Sequence, residues 1–189
     1  GLNALDSLVD FYKRLKELEE TFDKPHLLGC IITEGGTAPN IVPDRATLKA
    51  TVRALDTDYL EDVMLPQIKE LAAEVAKDHH TPVETEHYEP LYKNMINNAA
   101  LNVYFIEAFN ALHEEFGVYE EEDAEGSTDV GNVSHVTRAA QPEIAIGYHI
   151  NAHTPEFATA ANSDFAYIQA LTGAKAMVAV AVEVLFEKR

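Results

Sequence analysis

The most constraining feature of the sequence is a strict alternation of apolar and polar residues over positions 46–54. The apolar members occupy every second position: Leu48, Ala50, Val52 and Ala54. The polar members lie between them: Thr47, Lys49, Thr51 and Arg53. Successive side chains of a strand point to opposite faces of a sheet, so the segment is predicted to be a strand with one buried face and one open face. Arg53 is then expected on the open face, where another molecule can reach it.

Patterns on either side of this segment predict a sheet with helices on one face. Apolar residues recur every three or four positions over 3–22 and again over 58–78, which is typical of helices with one buried side. Residues 27–33 and 83–88 are predicted strands, and Pro66 is expected to kink the second helix or to mark its true start. The order helix, strand, strand, helix, strand lacks only a leading strand to complete a ferredoxin-like α/β sandwich.

The character of the sequence changes at about residue 94. A helix is predicted from Asn94 to about Phe116, a short strand over 143–147, and a helix over 164–188 that is apolar almost all round. A helix of that kind is typical of one buried against a sheet. Because one short strand cannot bury two such helices, a larger sheet is expected to come from elsewhere.

Composition and charge exclude two classes of partner. The chain has 14 Lys and Arg against 32 Asp and Glu, which gives a formal net charge of -18. Nucleic-acid binding rests on neutralising phosphates with clustered cations, and the same negative charge repels anionic membranes. No apolar stretch of about 18 residues indicates a membrane span. Neither a nucleic acid nor a membrane is therefore expected as a partner.

The single cysteine, Cys30, lies in the apolar run LLGCIIT. It excludes an internal disulfide, and its setting indicates a small buried hydrophobe in a reducing compartment rather than a catalytic thiol. The chain opens without the charged and then apolar pattern of a signal peptide. A cytoplasmic location is therefore expected.

Several polar residues could carry chemistry, and the residues alone leave the alternatives open. Arg53 is either a bidentate clamp for a carboxylate or an ordinary surface charge. The acidic run Glu120 to Asp123 either binds a hard cation or is a solvated loop. The loop GSTDVGN could present backbone N–H groups to an anion, but it matches no phosphate-binding motif. His153 and Glu156 form H-x-x-E, which is too common to identify a metal site, since zinc needs three or four protein ligands.

Four stretches of sequence, taken together, are more specific. They are GLNALDSLV, IITEGGTAPNIVPDRATLKATVRA, GSTDVGNVSHV with QPEIAIG, and NAHTPEF. In order and content they resemble the zinc aminoacylase and carboxypeptidase G family of metallohydrolases, especially its p-aminobenzoyl-glutamate hydrolase-like amidohydrolase branch. The resemblance implies that residues 1–90 are most of a ferredoxin-like lid and dimerisation domain without its first strand. It also implies that residues 91–189 are the C-terminal half of an α/β zinc-peptidase catalytic domain, with the general-base Glu expected upstream of Gly1.

The same resemblance implies roles for individual residues. His153 matches the family's last metal ligand. Asn40 and Arg53 match lid residues that reach the neighbouring subunit's substrate, where the arginine contacts the substrate carboxylate. The remaining four match the loop on the substrate side of the metal site: Gly126, Ser127, Thr128 and Asp129.

The enzyme implied by the resemblance is a homodimer that uses two divalent metal ions, expected to be zinc. It hydrolyses the amide bond of N-acyl amino acids or dipeptide-like substrates that carry a free carboxylate. Because His153 is the one matched ligand, the chain alone is expected to bind metal weakly or not at all and to be inactive. The alternative is a non-catalytic ferredoxin-like module that dimerises or binds a small ligand, with Arg53 as a surface charge.

Overall fold

The computed structural model describes residues 1–114 and 126–186. The chain divides into two compact units, Gly1–Asn94 and Met95–Arg189. The acidic run Glu120 to Asp123 and the predicted helix ends at Phe116 and residue 188 lie outside the described residues.

The first unit is a mixed α/β structure in which helices cover one face of a small sheet, as the fold class predicted. Its elements, in chain order, are α1 (Ala4–Glu19), β1 (His26–Glu34), β2 (Thr47–Ala54), α2 (Thr57–Tyr59), a π-helical turn (Leu60–Met64) and α3 (Leu65–Asp78). The predicted helices over 3–22 and 58–78 and the predicted strands over 27–33 and 46–54 are therefore confirmed, with ends shifted by up to three residues.

Helix α1 begins where the sequence supplies a side-chain cap. The Asn3 Oδ1 atom accepts hydrogen bonds from the backbone N–H groups of Leu5, at 3.0 Å, and Asp6, at 3.3 Å. These two N–H groups have no partner inside the helix, so the cap satisfies them. Leu15, three turns further on, is fully buried and anchors the helix to the sheet.

Pro66 lies in the first turn of α3, where the regular α-helix restarts after the π-helical turn, while the helical conformation itself is continuous from Thr57 to Asp78. The π-helical turn comes directly before it, and the N–H of Leu65 bonds to the carbonyl of Leu60. In an uninterrupted α-helix the proline ring would press against the carbonyl four residues earlier, that of Asp62. The wider turn therefore lies where an ordinary helical turn would be strained.

The middle of α1 and the C-terminal end of α3 are joined by a small polar network. Arg14 forms ion pairs with Asp10, at 2.9 Å, and with Asp78, at 3.0 Å. The Nε2 atom of His79 lies 3.0 Å from Asp10 Oδ2. The hydrogen bond with His79, together with Arg14, holds the pKa of the Asp10 carboxyl below its usual value. The network links two helices that are distant in sequence.

Strands β1 and β2 pair antiparallel, and their inward side chains form the core with the helices. The core contributed by the sheet consists of Leu28, Cys30, Val52 and Ala54. The helical contribution includes Leu15, Tyr59, Leu60 and Met64. Burial raises the pKa of the Cys30 thiol, which favours its neutral form and agrees with a packing role.

Two predicted strands are absent from the described residues, and for each the sequence-based prediction is wrong. Residues 83–88 and residues 143–147 have no strand assignment. A strand persists only where a neighbour pairs with its backbone N–H and C=O groups. Residues 83–88 pair with neither β1 nor β2, and the described part of the second unit contains no strand with which residues 143–147 could pair.

The described part of the second unit is helical. Its elements are α4 (Ala99–Ala111), α5 (Val130–Ser134), α6 (Pro155–Ala161) and α7 (Asp164–Phe186). Helix α4 begins five residues later than predicted, because the side chain of Asn98 caps it by accepting the N–H of Leu101 at 3.1 Å. Helices α4 and α7 pack together through Ala108, Phe109, Ala176 and Val180.

Helix α7 buries one side against α4 and exposes apolar side chains elsewhere. Its exposed large apolar residues include Ile168, Leu171, Met177, Val178, Leu185 and Phe186. By length and composition it could cross a membrane, which corrects the sequence-based statement that no such stretch is present. The interior helix of a globular protein has the same length and composition, so this feature does not identify a membrane protein. The larger sheet expected to cover α7 stays a prediction.

Candidate functional site

Arg53 lies on the face of the sheet opposite the helices, as the alternation predicted. Along β2 the polar residues Lys49, Thr51 and Arg53 are exposed, and the apolar residues between them are partly buried. Within the described residues the Arg53 guanidinium makes no hydrogen bond or ion pair. The other two arginines of the unit do pair with carboxylates, Arg14 with two aspartates and Arg45 with a glutamate at 3.4 Å. Arg53 is thus available to an anion from outside.

An apolar row lies beside Arg53 on the same face. In the antiparallel register Leu27 is opposite Arg53, Gly29 is opposite Thr51, and Ile31 is opposite Lys49. Leu27 is 56% exposed and Ile31 is 64% exposed. We call these six residues the open face. It combines exposed aliphatic groups with two cationic side chains and contains no acidic residue.

Tyr88 borders the open face and was not singled out by sequence reasoning, which assigned residues 83–88 to a strand. Its hydroxyl lies 3.2 Å from Thr51 Oγ1, and the Lys49 ammonium lies 5.5 Å from the centre of its ring. No sequence motif marks this tyrosine. Its position depends on the path of the chain after α3, so a sequence pattern alone could not have found it.

Asn40 lies exposed in the turn between β1 and β2. This connection has a defined shape at two points. Gly36 has a φ of +114°, and a Cβ at that position would lie 2.8 Å from the ring of Pro43, so glycine is required there. The carbonyl of Pro43 in turn accepts the N–H of Ala4 at 3.0 Å. Asn40 and Arg53 both lie on exposed parts of the first unit.

The loop predicted to line the substrate side of the site lies in the second unit and leads into α5. Gly126, Ser127 and Asp129 are exposed, and Thr128 is partly buried. The Thr128 carbonyl accepts the N–H of Gly131 at 3.1 Å, which begins the helical turn. Helix α5 has five residues, too short to make this end a strong anion site by itself.

His153 occupies the residue before the N-cap of α6 and is held in an unusual backbone conformation. Its φ is +63°, in the left-handed region that few residues other than glycine adopt. The next residue, Thr154, accepts the N–H of Phe157 at 3.2 Å and donates to the carbonyl of Asn151 at 2.8 Å. This cap fixes the start of α6 directly after the exposed His153. Its ring has no hydrogen-bond partner in the described ranges.

The described residues do not by themselves provide a metal site. No group of three His, Cys, Asp or Glu side chains converges in residues 1–114 and 126–186. A catalytic zinc ion needs three protein ligands and an open position. His153 therefore does not fit a complete metal centre within this part of the chain, and no catalytic step is assigned to a metal on these residues.

Comparison with known proteins shows which proteins the chain resembles. Residues 1–80 match the M20 peptidase dimerisation domain. Over 99% of its length the chain is 33% identical to the Xaa-Arg dipeptidase of Mus musculus. It is 31% identical, again over 99% of its length, to the Xaa-Arg dipeptidase of Homo sapiens. These matches support a fragment of an M20-family peptidase whose first 80 residues form the dimerisation domain. The resemblance to zinc aminoacylases inferred from the four sequence stretches is thereby confirmed.

The chain spans less than half of the relatives it matches, 44% of the mouse protein and 43% of the human one. Peptidases of the family generally use divalent metal ions. Asn40 and Arg53 fall inside the matched dimerisation domain, and His153 and residues 126–129 fall outside it. The roles implied for these residues stay predictions.

Proposed function

We propose that the whole protein containing this chain hydrolyses the amide bond of N-acyl amino acids or dipeptides with a free carboxylate, and that Arg53 binds that carboxylate. The observation that carries the proposal is the exposed Arg53 guanidinium, which makes no ion pair with the described residues and lies within the matched dimerisation domain. A guanidinium can bind a carboxylate through two parallel hydrogen bonds, which are strong and geometrically specific. The names of the two relatives denote action on dipeptides, which carry such a carboxylate.

We further propose that the active protein is a homodimer in which Arg53 and Asn40 serve the site of the neighbouring subunit. The match of residues 1–80 to a dimerisation domain supports dimer formation. The exposed positions of both side chains leave them free to reach outside their own unit. In this arrangement the first unit supplies Asn40 and Arg53 for substrate recognition. The second unit supplies the loop 126–129 and His153.

The proposal is tested by blocking the substrate carboxylate. The whole protein is expected to cleave N-acetyl-leucine to acetate and leucine. With N-acetyl-leucinamide, which has no carboxylate, kcat/KM is expected to fall about 100-fold, since a charge-assisted pair is lost. Product release is followed by chromatography of both substrates under identical conditions. Equal rates would show that no carboxylate is recognised, and the absence of cleavage of either substrate would contradict amide hydrolysis.

We also propose that His153 binds one of two divalent ions, expected to be zinc, together with ligands from outside the described residues. The 189-residue chain alone is then expected neither to bind zinc stoichiometrically nor to cleave N-acetyl-leucine, because one histidine binds zinc too weakly. Isothermal titration with zinc chloride measures this, and His153→Ala is the control for weak binding. A stoichiometric zinc site with nanomolar affinity, or robust amidase activity, would contradict the proposal.

A second candidate function is dimerisation without catalysis, which the match to the dimerisation domain favours on its own. In that case Arg53 is an ordinary surface charge. The two candidates differ in the kinetic effect of replacing Arg53, because only a substrate-binding arginine contributes to kcat/KM.

A further inference from the structure

We infer that the open face contains a side-chain subsite beside Arg53, which accepts an aliphatic side chain on the same residue whose carboxylate Arg53 binds. This inference rests on the proposed function and names its substrate class. The favoured substrates are acyl-amino acids or dipeptides whose carboxylate-bearing residue is leucine-like.

The register of the two strands places an aliphatic side chain beside Arg53. Leu27 lies directly opposite Arg53. Directly opposed residues of an antiparallel pair share a face, with Cβ atoms about 5 Å apart. A molecule whose carboxylate is bound by the guanidinium therefore has an exposed aliphatic surface within reach, because Leu27 is 56% exposed.

The absence of a side chain at Gly29 leaves a notch in the open face. This glycine lies between Leu27 and Ile31 on the same face, and apart from its two chain neighbours no described residue has an atom within 4 Å of the position that a Cβ would occupy. Residues two apart along a strand are separated by about 7 Å. Leu27 and Ile31 therefore form the two ends of a slot with Gly29 as its floor, and the slot has room for one small aliphatic side chain.

The charge of the open face favours an anionic substrate. The β2 side of the open face carries Arg53 and Lys49, with Thr51 between them. The Thr51 hydroxyl is already within hydrogen-bonding distance of the Tyr88 hydroxyl. The six residues that form this face include two cations and no acid. An anion with an apolar side chain complements both rows. A substrate side chain with its own positive charge would lie close to Arg53 and be disfavoured, so the expected preference differs from the arginine that the names of the two relatives denote.

The experiment fills the notch and measures substrate preference in the whole protein. Wild-type kcat/KM for N-acetyl-leucine is expected to exceed that for N-acetyl-glycine about tenfold. Gly29→Val is expected to reduce this ratio to about one, because the valine side chain takes the place of the substrate side chain. Gly29→Ala should give an intermediate ratio. Since the space above Gly29 is open and its φ is not in the left-handed region, a β-branched residue fits this strand.

Controls separate a specific effect from a general one. Thr47→Val, which places the same valine side chain at the far end of β2, should leave the ratio at its wild-type value. Thermal unfolding by circular dichroism should show that Gly29→Val is folded. An unchanged leucine-to-glycine ratio in folded Gly29→Val would overturn the inference. So would a higher wild-type kcat/KM for N-acetyl-arginine than for N-acetyl-leucine.

Failure of the subsite can be distinguished from failure of the proposed function. If Arg53→Ala weakens the binding of all three acyl-amino acids but Gly29→Val leaves their relative rates unchanged, the carboxylate clamp stands and the subsite is wrong. If Arg53→Ala changes nothing, the proposed function itself is wrong.

Discussion

Replacing Arg53 by alanine in the whole protein is expected to lower kcat/KM for N-acetyl-leucine about 100-fold, mainly through a higher KM. Truncating one partner of a hydrogen-bonded charge pair costs about 2–5 kcal/mol of binding free energy. The carboxylate is not itself altered in the reaction, so its binding is expected to contribute about equally to the ground state and the transition state. The measurement is steady-state kinetics over a range of substrate concentrations.

Three controls make the Arg53 result specific. Arg53→Lys keeps the charge but loses the two-fold hydrogen-bond geometry, so it should recover part of the loss. Arg45→Ala removes another exposed arginine of the same unit, one paired with Glu34, and should leave the kinetics unchanged. The substrate N-acetyl-leucinamide should be insensitive to Arg53→Ala. Wild-type kinetics in Arg53→Ala would support the non-catalytic alternative.

Mixed dimers test whether Arg53 acts on the neighbouring subunit. Arg53→Ala and His153→Ala protomers are each expected to be impaired alone. If Arg53 serves the partner's site, a mixed dimer contains one site with both groups intact and one with neither, and random pairing restores roughly a quarter of wild-type activity. If Arg53 serves its own subunit, mixing restores none. The assay is N-acetyl-leucine cleavage before and after subunit exchange.

Leu15→Ala is expected to destabilise the first unit by about 2–5 kcal/mol, the largest stability effect that we predict. Leu15 is 0% exposed and packs in the cluster that joins α1 to β1, β2 and the π-helical turn. Alanine would remove buried methyl groups and leave a cavity that the surrounding strands cannot close without losing their pairing.

Hydrogen exchange of the amides in β1 and β2 measures this effect, because the chain has two compact units and need not unfold in one step. Val9→Ala is the matched control. Val9 lies on the same helix but is 42% exposed, so its truncation should cost about 0.5 kcal/mol or less. Equal protection of the strand amides in Leu15→Ala and Val9→Ala would show that Leu15 does not anchor the sheet.

Periodic patterns within single segments were sufficient to predict most of the first unit, because they show which side chains face water and which do not. The alternation over 46–54 predicted both the strand β2 and the exposure of Arg53, because a period of two separates a buried face from an open one whatever the strand pairs with. The recurrence of apolar residues at every third or fourth position predicted α1 and α3, because that spacing separates the buried side of a helix from its exposed side. Pro66 marked the start of α3 because a proline restricts its own turn.

Features that depend on two distant segments were decided by the tertiary structure. Residues 83–88 and 143–147 have strand-like composition but no pairing partner among the described residues, and a backbone cannot form a ladder alone. The placement of Tyr88 against Thr51 and of Leu27 beside Arg53 follows from chain path and strand register. By itself, then, the sequence determined which side chains face water and which face the core. The tertiary structure decided which exposed side chains are neighbours, because proximity across strands is set by pairing that no single segment encodes.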